Sequence, residues 1–171
     1  AETEEQNFEL TSQRFFDRVY KSRGIELEAS VRMNEFFLNG GLTWTDAEIS
    51  KDDISPANEG NTPRRQADVV YQLTGGYAAA NWTVGANVIG TSDAYAQDNN
   101  QLVMPGYTQV NLFADYRFAE NWVVGLNVNN LFDTFGITES EEGGIVANTE
   151  NIIRARSIPG RTASLSVRYE F

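Results

Sequence analysis

The 171-residue sequence contains no cysteine and no histidine. Their absence removes disulfides, thiol nucleophiles, most zinc sites and any imidazole base. It also lacks an uncharged apolar run of about 18 residues, so no helical membrane span is expected. Mean hydropathy is −0.40. A β-barrel escapes that test, because alternation halves the average hydrophobicity of each span. Positive charge is scarce, with 13 Lys and Arg against 24 Asp and Glu, a net charge of −11. That balance argues against nucleic acid as a partner. No signal peptide is present, so an exported protein would be in mature or truncated form.

What is present is alternation. Residues 160–171 read GRTASLSVRYEF, with Ala163, Leu165, Val167, Tyr169 and Phe171 interleaved with polar residues. Period two is the mark of a strand with one apolar and one wet face. The pattern recurs as strand, short turn, strand and long polar loop. Ile25, Leu27, Ala29 and Val31 share a face, as do Phe36, Leu38, Leu42 and Trp44 after a short turn. Val69, Tyr71, Leu73 and Tyr77 lead through AAAN to Trp82, Val84, Ala86 and Val88. Val110, Leu112, Ala114, Tyr116 and Phe118 precede Trp122, Val124, Leu126 and Val128. The longest loop runs from Asp133 to Pro159. About seven antiparallel strands are expected.

Three features favour lipid over a soluble core. Glu26, Glu28, Arg32, Asp68, Asp115, Arg117, Arg168 and Glu170 all fall in the polar phase. Lys or Arg facing mid-bilayer lipid costs about 2–4 kcal/mol, so such sorting is expected there. Aromatics crowd the short-turn end, as an interfacial girdle requires. Spans of about 10–12 residues, tilted roughly 40°, suit an apolar band ~25 Å tall. The fold class is therefore all-β, an antiparallel transmembrane β-barrel segment. Seven strands would leave open edges in hydrocarbon, so residues 1–171 are expected to be the C-terminal portion of a larger barrel. A second reading hides an extra strand in FELTSQRFFDRVYKSRG, turning back near Lys21 to Gly24, and gives a free-standing eight-strand barrel with a structural or adhesive role. A third is a soluble β-sandwich binding module.

Four short motifs add a family likeness. Asn130, Leu131, Phe132 and Asp133, within VNNLFDTFG, resemble a signature of TonB-dependent outer-membrane receptors. SRGIELEA, with Gly24 and Glu26, is similar to a Gly-Val-Glu strand of these receptors. Pro159, Gly160 and Arg161 resemble the Pro-Gly-Arg that opens their last strand, and the end at Phe171 resembles the aromatic signal read by the barrel-assembly machinery. The resemblance implies a barrel of about 22 strands around a plug domain. It further implies bacterial outer-membrane location, uptake of a scarce nutrient such as an iron chelate, cobalamin or an oligosaccharide, and energy from TonB acting through the plug. The plug and roughly fifteen strands are missing here, so remaining barrel strands, the plug and outer-membrane lipid are expected partners.

No catalytic constellation is present, and no enzyme activity, cofactor or metal is expected. Asp52 with Asp53 and Glu141 with Glu142 read as solvated loop charge, and Glu26, Glu28, Arg117 and Arg168 as cross-strand pairing. Ligand contact would come from the long loops. Arg64, Arg65, Arg154 and Arg156 offer planar forks to an anionic nutrient ligand. Tyr95 and Phe135 offer rings for stacking.

Overall fold

The computed structural model of the chain describes residues 1–9, 14–141 and 153–170. Eight strands form one antiparallel sheet: β1 (Glu2–Glu9), β2 (Arg14–Met33), β3 (Phe36–Asp52), β4 (Val69–Ala78), β5 (Trp82–Thr91), β8 (Tyr107–Ala119), β9 (Trp122–Asn129) and β12 (Thr162–Tyr169). Two small hairpins interrupt the long loops. One is β6 (Ala94–Tyr95) with β7 (Val103–Met104), and the other is β10 (Ile137–Ser140) with β11 (Ala155–Ser157). A 3-10 turn at Pro56–Asn58 shapes the β3–β4 loop.

Register sorts the two faces. Ile25 pairs with Trp44, Leu27 with Leu42 and Val31 with Leu38, and the same phase runs on through Leu73–Val88, Ala86–Leu112, Leu112–Val128 and Leu126–Leu165. Among the described residues, no second layer lies beneath this face. Leu27 is 59% exposed and Leu165 73%. An apolar sheet face so bare in one molecule needs an apolar surrounding. Thr43, Gln72, Thr74, Asn87, Asn111 and Asn127 occupy the other phase. That face is not wholly polar. Phe37 and Phe113 lie across Gly76 and Gly85, and a methyl at either glycine would fall within 2.5 Å of a ring carbon.

At the short-turn end, aromatic rings pair on the apolar face. Phe36 meets Tyr77 edge-on at 5.1 Å, Trp82 stacks on Tyr116 at 4.1 Å, and Trp122 packs against Phe118 at 6.2 Å and Tyr169 at 4.9 Å. Such pairs add about 0.5–1.5 kcal/mol beyond area burial. Their common level is that of an interfacial girdle. Phe171 lies outside the described residues.

The strand count corrects the expected seven. The eighth strand, β1, pairs with residues 14–21 of β2, from Glu2 opposite Lys21 to Glu9 opposite Arg14, and Lys21 to Gly24 run straight on within β2 instead of turning back. With 20 residues, β2 spans about 66 Å, far more than a band of ~25 Å needs. β1 therefore flanks only the outer extension of β2, beyond the apolar band. Within the band seven of the eight strands remain, and β1 and β12 are the two sheet edges, with no pairing between them among the described residues. The expected long polar loops are also corrected, since two of them contain hairpins.

Candidate functional site

The long-loop end is built outward from the extended hairpin of β2 and β3. Ile49, with no exposed surface, anchors the β3–β4 loop through its backbone: its N–H donates to Asn61 O at 2.9 Å, and its carbonyl accepts from Gly60 N at 2.8 Å. Asp52, equally buried, accepts from the N–H groups of Ile54 and Ser55 and from Asn58 Nδ2. Arg18 reaches Asp52 at 2.7 Å and Asp98, in the β5–β8 loop, at 2.8 Å. Burial pushes the Asp52 carboxyl upward, but the Ser55 and Asn58 hydrogen bonds, the Arg18 charge and the Ile54 N–H outweigh it and hold the pKa below the usual value.

The β5–β8 loop is tied to the same knot. Asp98 accepts from Arg64 N at 3.0 Å and Asn61 Nδ2 donates to its carbonyl at 2.8 Å. Asn100 and Thr62 exchange hydrogen bonds, and Ala96 is fully buried. A charged pair this enclosed needs its remaining donors and acceptors engaged; the Asp52 oxygens are, while Arg18 Nε is buried without a hydrogen-bond partner among the described residues. It is a structural joint.

A second centre lies where the third loop meets the first. Arg65 sits in the left-handed region at φ 61°, its N–H donating to Tyr95 O at 2.6 Å. Its guanidinium donates to Ser140 O at 2.8 Å and approaches Glu139 at 3.5 Å. On the β10–β11 hairpin, Glu139 faces Arg156 at 3.1 Å and Glu141 faces Arg154 at 3.7 Å. These side chains line a cavity of about 320 Å³ with Ser140. Ser140 is 2% exposed, and its Oγ has no hydrogen-bond partner among the described residues. The pairs are solvent-accessible, with Arg154 at 90% and Arg156 at 82% side-chain exposure, so each contributes about 0–1 kcal/mol.

Of the ligand-contact residues expected from sequence, Arg65, Arg154 and Arg156 converge on this cavity. Arg64 belongs instead to the Asp98 knot, 4.0 Å from that carboxylate. Tyr95 is half-buried in β6, and Phe135 is 75% exposed beyond β9; neither lines the cavity. Sequence reasoning missed Glu139, Ser140, Arg18 and Asp98. The first had a signal: Glu139 and Glu141 alternate, as do Arg154 and Arg156, which marks one face of a charged hairpin. Glu142 lies outside the described residues. Among those described, no group of three or more carboxylates gathers to hold a metal ion.

The motif residues form a clasp at the outer ends of β9 and β12. Asn130, 1% exposed and at φ 51°, donates through Nδ2 to Thr134 O at 2.9 Å and Pro159 O at 3.0 Å, and accepts from Thr134 N. Asp133, at φ 54°, accepts from Arg161 N at 2.7 Å, and Gly160 packs beside its Oδ1. Arg161 also reaches Leu131 O at 3.4 Å, while Phe132 is 70% exposed. Two motifs remote in sequence thus lock one another. Gly24 is required by close approach, because a Cβ there would lie 2.4 Å from Trp44 O.

On the polar face Arg117 reaches Glu170 from another strand at 2.8 Å, whereas Arg168 pairs with Glu170 two residues along its own segment at 3.1 Å, not across strands. Glu26 and Glu28 do not follow: among the described residues neither has an ion-pair partner, because Thr43 and Gly41 stand opposite. They line a second cavity of about 280 Å³ with Thr43, Gln72, Thr91 and Tyr107.

Comparison with known proteins gives three findings. The family described as TonB dependent receptor-like, beta-barrel, matches residues 3–131. The metal-pseudopaline receptor CntO of Pseudomonas aeruginosa is 32% identical over 119 residues, covering 66% of this chain and 17% of that receptor. Among solved structures, the siderophore receptor PiuA from Acinetobacter baumannii superposes with a TM-score of 0.83 at 22% identity, over 98% of this chain and 25% of PiuA. The ferric yersiniabactin uptake receptor FyuA from Yersinia pestis superposes at 0.77 and 19%, over 90% of this chain and 24% of FyuA. The chain thus spans a quarter or less of these relatives, and the structural likenesses speak for the fold.

Proposed function

Since this chain belongs to the TonB dependent receptor-like β-barrel family, we propose that it is the C-terminal portion of the barrel of an outer-membrane receptor that imports a metal chelate with energy from TonB. One observation carries the reading: an uncovered, charge-free apolar face ends in paired aromatic rings within a sheet of that family. The sheet edges at β1 and β12 are completed by strands outside this chain, and the unpartnered Glu26 and Glu28 face a plug that fills the lumen. Phe171 is the address for the barrel-assembly machinery. Relatives named for metal-pseudopaline, a siderophore and ferric yersiniabactin favour a metal chelate over cobalamin or an oligosaccharide. Arg65, Arg154 and Arg156 offer such an anionic cargo its contacts. The role is transport, and no catalysis is assigned.

The test is uptake. Cells carrying the intact gene, starved of free metal, are expected to accumulate a radiolabelled metal chelate only when TonB is present. Equal accumulation with and without TonB overturns the reading.

A further inference from the structure

We propose that Lys21 and Glu48 clamp a zwitterionic lipid headgroup, one carrying a phosphate and an amine, in the leaflet at the long-loop end. The inference rests on the receptor reading only in taking the bare apolar face to meet lipid. That face changes character within one step of register. Leu27 pairs with Leu42 and Ile25 with Trp44; then, in the same phase, Arg23 pairs with Asp46 and Lys21 with Glu48. Two residues of strand rise about 6.6 Å, so at a tilt of roughly 40° Arg23 lies ~5 Å and Lys21 ~10 Å beyond the last apolar pair. The headgroup layer on each side of the hydrocarbon is about 5–8 Å deep. Arg23 therefore sits within that layer and Lys21 at its outer margin, reaching back into it along a flexible stem. Trp44, 41% exposed, marks the boundary, as interfacial tryptophans do.

These four charged side chains line a cavity of about 300 Å³ with Ser22. Both cations belong to β2 and both carboxylates to β3, so the cavity is neutral in sum but polarised across the strands. The pair nearer the apolar band is closed: Asp46 Oδ2 accepts from Arg23 Nε at 2.9 Å and from Nη2 at 2.7 Å. The outer pair is open. Lys21 and Glu48 stand directly opposite in register, yet among the described residues no ion pair joins them or engages either one. Opposed Cβ atoms in such a pair lie about 5 Å apart, a gap that a two-carbon link between phosphate and amine spans. A headgroup whose phosphate faces Lys21 and whose amine faces Glu48 completes both ion pairs at once. A purely anionic headgroup satisfies Lys21 alone and sets its charge against Glu48.

Native mass spectrometry of the intact receptor in a neutral detergent tests this, with phosphatidylethanolamine, phosphatidylglycerol and diacylglycerol of one chain length as probes. Wild type is expected to hold phosphatidylethanolamine most tightly. A basic side chain beside a charged headgroup is worth about 5-fold in affinity, so K21Q should weaken both phospholipids by roughly that factor. E48Q should weaken phosphatidylethanolamine similarly and leave phosphatidylglycerol no weaker, while neither variant changes diacylglycerol. R32Q, the same loss of charge in the polar phase of β2, should change none of the three. Heat-modifiable gel migration checks that the variants remain folded. Equal effects of E48Q on the two phospholipids, no effect of K21Q, or an R32Q effect as large as that of K21Q overturns the inference. So does displacement of the lipid by free phosphoethanolamine at equal concentration, which would mark a soluble ligand instead. The receptor reading fails separately, on TonB-independent accumulation, whichever lipid binds.

Discussion

Asn130 offers the sharpest test of the clasp between β9 and β12. Its side chain makes three hydrogen bonds, to Thr134 O, to Pro159 O and from Thr134 N, from a site that is 1% exposed. Replacing it with alanine removes all three, at about 0.5–1.5 kcal/mol each. The backbone adds a second cost. At φ 51° an alanine Cβ crowds the following carbonyl, a penalty of roughly 1–2 kcal/mol that asparagine partly escapes. Asn130→Ala is therefore expected to cost roughly 2.5–6.5 kcal/mol, and Asn130→Gly about 1–2 kcal/mol less because glycine tolerates that φ. The assay is urea unfolding of the intact receptor refolded into lipid vesicles, followed by tryptophan fluorescence. A loss below about 1 kcal/mol for the alanine variant would refute the clasp. Equal losses for alanine and glycine would refute the backbone term alone.

Two further expectations come from other parts of the sheet. Leu126 stands mid-band on the apolar face, paired with Leu165, whereas its neighbour Asn127 points the other way. Leu126→Arg should lower unfolding stability in vesicles by about 2–4 kcal/mol and Asn127→Arg by far less; equal costs would contradict the assignment of faces. Asp52 predicts an acid response. Its pKa is lowered in the folded chain, so the stability it supplies is full above the unfolded carboxylate range near 4 and is lost as pH falls through the lower folded value. Amide protection at Ile49 and Gly60, corrected for intrinsic exchange, should hold from neutrality to about pH 5 and collapse only below the usual carboxylate range. Collapse near pH 6 would point to another group.

How legible this was in the sequence depended on what surrounds each strand. Where β4, β5 and β8 cross the band, one face is bare and apolar and the other polar, so Leu73–Gln72 or Leu112–Asn111 must alternate, and period two was readable. Residues 14–21 of β2 lie beyond the band, where β1 supplies the pairing and Arg18 packs against the β3–β4 and β5–β8 loops instead of lipid. Nothing there forces Arg18 and Val19 into opposite classes, and the strand was invisible to hydropathy. The clasp was half legible: Asn130 to Asp133 and Pro159 to Arg161 stood out as motifs, yet their mutual contact depends on β9 and β12 being neighbours, which local pattern does not encode.

The same logic, applied to charge instead of hydropathy, reaches into the loops. The hairpin of β10 and β11 is too short for an apolar stripe, and its register slips between Ile137 and Glu139. Still, Glu139 and Glu141 against Arg154 and Arg156 keep a period of two, because cross-strand neighbours on one face select opposite charges. A soluble loop with no partner has no reason to sort its charges by face. Sorting, here, accompanies a cavity that Arg65 completes from another loop, and that convergence marks these residues, rather than Arg64, Tyr95 or Phe135, as the ones to probe for ligand.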